Sequence, residues 1–534
     1  MAASHHPGKD SDSEAPPFVP SVDTEKNINA IEQQRSQLGA ETEAPFSVFT
    51  LAEKRLIIFI ASFTTLLPPL TGSMYYPIIP MLADDLHVST GDISYTITAY
   101  LGIAPSFIGN LSDETGRRPA LIVAFIIYLA GCIGAAFRDN YALLLVMRCL
   151  QSAGSSATIA MSLATVSDIV TSAERGSYTS YVQMGWMVGP AIGPVRCEPS
   201  VLSKGKEFAD PWSKIIGGLL SQYLGWKSIF WFMTIFASTV LIILLLFMPE
   251  TSRKIVGNGS VPSPRWNRPF FTILRGKYKR QADNESGAHN TLTDLSQTRR
   301  STRAHMSPWS SLKLFGEKET CMLLLYSGMI YASSYVIVST LPAQLKKGYG
   351  FNTIQISLCY LPAAFGTITS VLGSGRFLDW NFHRHANRLG IEISKQKQQD
   401  LRNFPIETAR LQITLPLLIG TGICMLSYGW TLQARTSLAA PLVFLFLQAF
   451  GIASSFSSMN NLLLDLHRDK PGTCSSAMNL SRCWLGAGGV ALGGLISNAG
   501  GAGWMTVTVV GLWLVFSPFV LLVLRYGPKW REQK

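Results

Sequence analysis

Twelve apolar stretches, each long enough to cross a lipid bilayer as one helix, constrain what this chain of 534 residues can fold into. A membrane-crossing helix needs about 20 mostly apolar residues, and only helices or closed barrels satisfy their backbone hydrogen bonds in lipid. Six stretches precede a polar middle segment and six follow it. The sequence therefore predicts an all-α membrane protein with twelve transmembrane helices in two six-helix halves. The predicted spans are 55–79, 93–111, 119–137, 140–164, 177–195, 228–248, 320–342, 353–375, 411–432, 440–464, 473–497 and 504–524.

The charged residues are few and unevenly placed, and their placement predicts the topology. They make up 15% of the chain, against about 25% in soluble domains. Lys and Arg concentrate in every second link between spans, which is the excess that cytoplasmic links carry. We therefore expect a multi-pass membrane protein with both termini cytoplasmic. The plasma membrane is the expected location, and an internal membrane is the alternative. The net charge of +12 follows from this bias, so we do not expect nucleic-acid binding.

This topology divides the chain into four parts. The polar, acid-containing N-terminal residues predict a disordered tail, and the Ser/Arg-rich middle predicts a mostly disordered loop. The expected domains are a cytoplasmic N-terminal tail (1–50), an N-terminal six-helix half (51–251), a cytoplasmic central loop (252–318) with a short surface helix near Trp309–Phe315, and a C-terminal six-helix half with a short cytoplasmic tail (319–534).

The segment GNLSDETGRRPAL, from Gly109 to Leu121, joins two apolar spans by a short charged turn. It resembles the signature loop between the second and third helices of the major facilitator superfamily of transporters. The resemblance implies the major facilitator fold and a cytoplasmic latch that holds the two halves while they rock. GSGRFLD (Gly373–Asp379) is a degenerate copy after the eighth span, as transporter folds built from repeats should contain. The expected latch residues are Gly109, Asp113, Gly116, Arg117, Arg118, Asp168, Glu174 and Arg175, with Asp113 paired to Arg117 or to a helix end.

An arginine lies inside the fourth span, in LLLVMRCLQSAGSSA. An intramembrane Arg costs about 2.5–3.5 kcal/mol or more, so Arg148 is expected to face a partner or an aqueous cavity; the alternative is that it extends to the interface. With Gln151 it resembles the family pattern Arg-x-x-Gln-Gly, although Ser152 replaces the last Gly, and this implies that Arg148 and Gln151 take part in proton coupling. The acid that carries the proton stays open. The acids nearest the membrane are Asp113, Asp168 and Asp465.

The fifth span reads QMGWMVGPAIGP. Small residues four apart let helices approach closely, and prolines bend a helix. Its Gly-Pro-x-x-Gly core resembles the antiporter motif of exporters in the superfamily, which here comprises Gly185, Gly189, Pro190, Gly193 and Pro194. The segments PETSRKIVGNGS (Pro249–Ser260) and NLLLDLHRDKPGTCSSAMNLSRC (Asn461–Cys483) resemble the fungal twelve-span drug:proton antiporters of the quinidine-resistance type. This resemblance implies export rather than uptake.

A charged segment interrupts the fifth span directly after Pro194. Residues 195–214 contain seven charged side chains, and each would cost about 3 kcal/mol at the centre of a membrane helix. One hypothesis is a retained intron, because removal of 195–214 restores the run GPAIGPIIGG. The alternative is a genuine extracellular insertion.

These observations predict a proton-coupled transporter that exports amphipathic organic compounds (drugs, toxins or secondary metabolites). A proton-coupled importer of a small organic nutrient and a non-transporting membrane sensor remain open. An enzyme is disfavoured because the sequence shows no nucleophile elbow, metal cluster or phosphate-binding loop. The expected partners are a small-molecule substrate, protons and the lipid bilayer; we expect a monomer with no cofactor, no metal and no nucleic acid.

Aromatic and polar residues inside the spans predict the wall of a substrate cavity. Such a wall suits molecules with aromatic or cationic groups, and the alternative for each residue is ordinary packing between helices. The main candidates are Tyr100, Gln183, Tyr331, Tyr335 and Asn460, and the wider set adds Tyr75, Tyr76, Trp186, Tyr326 and Asn461.

Overall fold

The computed structural model describes residues 46–75, 82, 85–88, 93, 96, 100, 107–137, 140–192, 226–264, 267–270, 310–351, 353–390 and 404–532. Within these residues the regular structure is helical throughout, as predicted. The helices of the first half are α1 (Leu51–Ser73), α2 (Phe107–Thr115), α3 (Arg117–Phe137), α4 (Tyr141–Ile169), α5 (Arg175–Ile192) and α6 (Lys227–Phe247), followed by the short α7 (Arg253–Val256).

The second half begins with the short α8 (Ser310–Lys313) and a 3₁₀ turn (Leu314–Gly316). Its other helices are α9 (Lys318–Tyr349), α10 (Thr353–Leu358), α11 (Leu361–Arg388), α12 (Ile406–Leu411), α13 (Thr414–Gln433), α14 (Ala439–Leu466) and α15 (Pro471–Glu532). The last of these contains the two final predicted spans. It breaks between them at Gly501, whose φ of 83° and ψ of −175° are not helical.

Eight helical segments of the described chain are long and apolar enough to cross a membrane. The predicted second, fifth and eighth spans are not among these segments. The second lies mostly outside the described residues, and the description of α5, which contains the fifth, stops at Ile192. Helix α11, which contains most of the eighth, carries several charged side chains. The eight segments are Leu51–Gly72, Arg117–Phe137, Tyr141–Ile169, Lys227–Phe247, Lys318–Tyr349, Ile406–Gln433, Ala439–Leu466 and the double-length Pro471–Arg531.

Local sequence signals explain where several helices begin and end. The Thr50 side chain accepts from the Glu53 N–H, and the Glu53 carboxylate accepts from the Thr50 N–H, which is a capping box at the start of α1. Asn140 caps α4 through a bond from the Ala142 N–H. Gly350 ends α9 in the left-handed conformation, with a φ of 66°.

Two elements differ from the sequence-based expectation. Helix α11 continues to Arg388, beyond residue 375 where the predicted eighth span ends, and its last turns carry basic side chains. The helix expected near Trp309–Phe315 is present as α8 and the 3₁₀ turn, but it is packed rather than superficial. Leu312 and Phe315 contact the buried pair Leu480 and Cys483 of α15.

Helix packing joins the two halves as well as each half internally. In the first half α1 packs on α5, and α3 packs on α4 and α6; in the second half α9 packs on α15, and α11 packs on α14. Between the halves, α5 lies along α11, while α2 and α4 lie along α15. The close contact of α1 with α5 depends on Gly185, since a Cβ there would collide with the Ser62 carbonyl oxygen and the Thr65 hydroxyl.

Candidate functional site

A cavity of about 300 Å³ lies between the two halves. Its wall is formed by α1, α4, α5 and Tyr100 from the first half, and by α9, α11, α14, α15 and Tyr360 from the second. This volume is at the lower end of the range for small-molecule sites, which lie between about 300 and 1,000 Å³. A site shared by two halves changes shape whenever the halves move against each other.

Aromatic rings from both halves meet at this cavity. The ring centroid of Trp186 on α5 lies 4.9 Å from that of Tyr331 on α9 and 5.4 Å from that of Phe456 on α14. Tyr331 in turn contacts Tyr335, with centroids 5.1 Å apart. Trp186, Tyr331 and Tyr335 line the cavity. These rings from the two halves together form an apolar surface that suits a flat or hydrocarbon group.

Arg482 of α15 is a buried cation in the cavity wall, and it was not among the sequence-based candidates. Its guanidinium carbon lies 4.5 Å from the ring centroid of Trp186 and 5.2 Å from that of Tyr331. Its Nη2 donates to the Asn479 Oδ1 at 2.5 Å, and the Asn479 amide donates to the Ser156 carbonyl oxygen at 3.3 Å. The rule that singled out Arg148, a lone Arg inside an apolar span, also applies to Arg482 and would have found it.

Arg148 lies directly behind the cavity wall in the first half. Its side chain is buried, and its Nη1 donates to the Gln151 Oε1 at 2.6 Å. The guanidinium carbon lies 4.0 Å from the ring centroid of Tyr75 and 4.5 Å from that of Tyr100. Tyr100 lines the cavity and its hydroxyl lies 2.8 Å from the Ser155 hydroxyl. One aromatic ring therefore separates Arg148 from the space where a substrate would bind.

The signature-loop residue Arg117 is held by two carboxylates at one end of the bundle. Its Nη1 donates to the Asp113 Oδ1 at 2.6 Å, and its Nε donates to the Asp168 Oδ2 at 2.7 Å. Asp113 also accepts from the N–H groups of Gly472 at 3.0 Å and Thr473 at 2.8 Å, in the first turn of α15. The free N–H groups and dipole of a helix N terminus favour a carboxylate. Asp113 thus ties the first half to a helix of the second half.

Glu250, directly after α6, adds a third carboxylate to this cluster. It accepts from the N–H of Arg117 at 2.8 Å, from the N–H of Arg118 at 3.3 Å and from the Asn267 amide at 2.8 Å. Gly116 has a φ of 109°, and a Cβ there would lie 2.8 Å from the Glu250 Cδ. The turn therefore requires glycine at this position, both for its conformation and for space. The sequence indicated the segment that contains Glu250 but not this role.

The second half contributes a matching contact through Asp379, the acid of the degenerate copy. It accepts from the N–H groups of Gly176 and Ser177 at 2.9 Å each, and from the Ser177 hydroxyl at 2.5 Å, in the first turn of α5. Each half therefore supplies one aspartate to a helix N terminus of the other half. Asp379 follows the predicted eighth span, and its burial raises its pKa to about 6, although Arg410 and the bonds from α5 oppose this shift.

A buried ion cluster around Asp465 also crosses between the halves. Asp465 pairs with Arg175 of the first half, and with Arg410 of the second half at 3.0 Å. The Ser172 hydroxyl donates to Asp465 at 2.7 Å, and the backbone carbonyl oxygen of Ser172 accepts from Arg410 at 2.7 Å. Removal of one partner from a buried cluster leaves an uncompensated charge, which is strongly destabilising. Arg175 is therefore held by Asp465 of the other half, whereas Asp168 holds Arg117.

The remaining sequence-based candidates lie at several different places in the fold, and some lie outside the described residues. Arg118 donates to the Leu245 carbonyl oxygen at 3.0 Å, and Glu174 lies in the turn before α5. Gly109 lies in α2, while Gly189 and Pro190 lie in α5. Gln183 and Asn460 are buried but are not among the residues that line the cavity. Residues 193–225, with Gly193, Pro194 and the charged segment, lie outside the described residues, as does Tyr76.

Sequence comparison identifies relatives along nearly the whole chain. A model of the Major Facilitator Superfamily matches residues 61–195 and 214–490, so the match is interrupted where the charged segment lies. MFS-type transporter phiD of a fungal species (strain ATCC 74256) is 38% identical over 92% of this chain and 71% of its own length. MFS-type transporter tstD of Talaromyces stipitatus is 35% identical over 98% and 91%. Citrate exporter 1 of Aspergillus niger is 31% identical over 97% and 95%.

Solved structures with low identity share the fold. The proton:xylose symporter XylE has a TM-score of 0.59 at 12% identity, covering 90% of this chain and 96% of XylE. The human organic anion transporter MFSD10 has a TM-score of 0.53 at 16% identity, covering 88% of this chain and 99% of MFSD10. The predicted fold class is confirmed by these matches and by the helical architecture. The chain belongs to the Major Facilitator Superfamily and is a multi-pass membrane transporter rather than an enzyme.

Proposed function

We propose that this transporter exports amphipathic organic molecules across the plasma membrane in exchange for protons, as an antiporter of the quinidine-resistance type. The observation that carries the proposal is the cavity between the halves, whose wall combines aromatic rings, hydroxyls and apolar side chains from both. A substrate bound there contacts both halves and so responds to their relative position. The Gly-Pro pattern of α5 and the similarity to a citrate exporter both support export rather than uptake.

In the proposed cycle, the contacts between the halves around Asp113, Asp379 and Asp465 are formed in one state and broken in the other. We call the end of the bundle where they lie the latch end. Asp113 and Asp379 each hold a helix N terminus of the opposite half, and Asp465 pairs with Arg175 across the same boundary. These bonds stabilise the arrangement in which the halves touch at this end. Because they are electrostatic and confined to the helix ends, they can break without unpacking the helices. In the proposed cycle, their rupture opens the cavity to the cytoplasm and their formation closes it.

Proton coupling is proposed to act through Arg148 and Gln151. The Nε and Nη2 atoms of Arg148 have no hydrogen-bond partner among the described residues. A buried guanidinium of this kind is sensitive to any change of charge nearby. Tyr100 lies between it and the cavity, so a substrate that displaces this ring changes the surroundings of Arg148. Occupancy of the cavity would thereby change the proton affinity of titratable groups close to Arg148.

Inside-out plasma-membrane vesicles from yeast test the direction and the coupling together. Their lumen corresponds to the cell exterior and is acidified when ATP drives the yeast proton pump. Vesicles containing the form without residues 195–214, which is the form expected to reach the plasma membrane, should accumulate an amphipathic compound to which that form confers tolerance. A protonophore should abolish the accumulation. Vesicles without the chain are the control. Acid-driven loss of preloaded compound would instead show an importer, and the absence of any flux would support a sensor; either result contradicts the proposal.

A further inference from the structure

We propose that the cavity binds its substrate through an organic carboxylate held by Arg482. This inference rests on the proposed transport function and specifies the substrate class of the same site. It differs from the sequence-based expectation, which favoured aromatic or cationic molecules. The difference arises because the sequence did not reveal which charged side chain lines the cavity.

The charge of the cavity wall is the first argument. Among the described residues that line it, Arg482 is the single charged side chain. Only 5% of its surface is exposed, and no carboxylate in the described part of the chain forms an ion pair with it. A cation in this position is costly unless an anion or water compensates it. A bound carboxylate would supply the missing negative charge.

The orientation of the guanidinium is the second argument. Trp186 and Tyr331 contact it through their rings, and Asn479 accepts from its Nη2, so three neighbours hold it in place. The Nε has no hydrogen-bond partner among the residues that the structure describes. A guanidinium presents several N–H donors in one plane and binds both oxygens of a carboxylate at once. A guanidinium held in this way loses little freedom when the anion binds.

The rest of the wall indicates what the carboxylate is attached to. Hydroxyls of Ser155, Ser334 and Ser339 offer hydrogen bonds, while Ile159, Val338 and other apolar side chains offer contact to hydrocarbon. An amphipathic carboxylic acid matches both. A cationic amine would find no carboxylate among these described lining residues, and it would be repelled by Arg482 at a distance of a few ångströms.

The other intramembrane arginine does not offer the same site. Arg148 is not among the residues that line the cavity, and its Nη1 is engaged by Gln151. Its guanidinium lies against the rings of Tyr75 and Tyr100, behind the wall. The geometry therefore assigns substrate binding to Arg482 and leaves Arg148 to the proposed coupling.

Binding of matched probes to the purified full-length chain in lipid nanodiscs tests the inference. The probes are 3-phenylpropionate, 1-naphthaleneacetate and decanoate, each compared by calorimetry with the neutral amide and the primary amine of the same skeleton. At least one carboxylate should bind at least 10-fold more tightly than its amide and its amine. Arg482→Gln should lower this carboxylate's affinity by about 10- to 100-fold, the effect of losing a hydrogen bond to a charged group. Its affinity for the amide should change little.

Two further variants separate binding from folding. Arg525→Gln makes the same substitution at an exposed position near the end of α15, beyond the break at Gly501, and should keep the wild-type carboxylate preference. Arg482→Lys keeps the charge but removes the planar fork, so it should retain the preference at reduced affinity; it serves in place of the Gln variant if that chain does not fold.

Several results would overturn the inference: amines that bind as tightly as carboxylates, a preference that survives in Arg482→Gln, or no binding by any carboxylate of the panel. These outcomes are independent of the transport assay. Carboxylate binding without acid-driven flux in vesicles would refute the proposed function and leave the site assignment intact. Acid-driven accumulation of amines without carboxylate binding would do the reverse.

Discussion

Replacement of Asp113 by Asn tests the proposed latch with the smallest change of shape. The carboxylate receives two bonds at each oxygen: Arg117 and the Gly472 N–H at Oδ1, and the N–H and hydroxyl of Thr473 at Oδ2. An Asn side chain has one oxygen and an NH₂ group that donates only, so one pair of bonds is lost. With the oxygen facing Arg117, the lost pair is the two bonds from Thr473, and both of these join the two halves. Bonds to a charged group contribute about 1.5–3 kcal/mol each. The latched arrangement should therefore weaken by about 3 kcal/mol, taking the lower value for each bond, which is a roughly 150-fold change in its equilibrium.

Transport and substrate affinity should respond differently to Asp113→Asn. The side chain lies at the helix ends and is not among the residues that line the cavity, so affinity for substrate in detergent should stay within about twofold of the wild type while transport falls at least 10-fold. Spin labels at the exposed positions Arg55 and Lys470, one in each half, should report a broader and longer distance distribution in the variant.

The matched control is Asp469→Asn, the same substitution at an exposed acid just before α15. It should leave both transport and the distance distribution unchanged. An affinity loss in Asp113→Asn as large as the transport loss would refute the latch assignment, because it would show that Asp113 supports the binding site itself.

Three further predictions concern coupling, pH and the interrupted span. Arg148→Ala should abolish acid-driven transport while leaving membrane insertion intact; wild-type rates in vesicles would contradict the proposed role. Because burial raises the pKa of Asp379 to about 6, whereas a solvated Asp titrates near pH 3.9, the latched arrangement binds a proton at this carboxyl more readily than an opened, hydrated one. Lowering the pH from 7.5 to 5 should therefore shift the spin-label distances towards the latched arrangement, and an equal shift in Asp379→Asn would refute this assignment. The form without residues 195–214 should reach the plasma membrane of a sensitive yeast strain and confer tolerance to a toxic amphipathic compound, whereas the full chain should be retained internally or inactive. Equal tolerance from the two forms would show a tolerated insertion.

Part of the candidate site followed from local sequence rules. Arg148 and Gln151 were singled out together by their resemblance to the family pattern Arg-x-x-Gln-Gly, and the structure places them in hydrogen-bond contact. Tyr100, Tyr331 and Tyr335 were expected at a cavity and line it. Gln183 and Asn460 were expected there as well; both are buried, and neither is among the residues that line the cavity. Residue type and depth are readable from a sequence, whereas the direction in which a side chain faces depends on which helices pack around it.

Contacts across the two halves could not have been derived in this way. Asp113 bonds to Thr473, Asp379 bonds to Ser177, and Asp465 pairs with Arg175, each across hundreds of residues of intervening chain. The degenerate copy at Gly373–Asp379 indicated a repeat, but it did not indicate that its aspartate would reach the N terminus of α5. Such bonds exist only when the two halves dock in one register.

The sequence by itself determined the class of fold, the helical spans and the motif that distinguishes the family. It could do so because the bilayer imposes a local requirement: every segment that crosses it must be apolar, about 20 residues long and internally hydrogen-bonded. Only the tertiary structure decided that Arg482 faces a cavity while Arg148 lies behind Tyr100. Both are single cations in apolar helices, so the sequence treats them alike. The physical difference between them is the neighbours that packing supplies, and those neighbours come from helices distant in the chain.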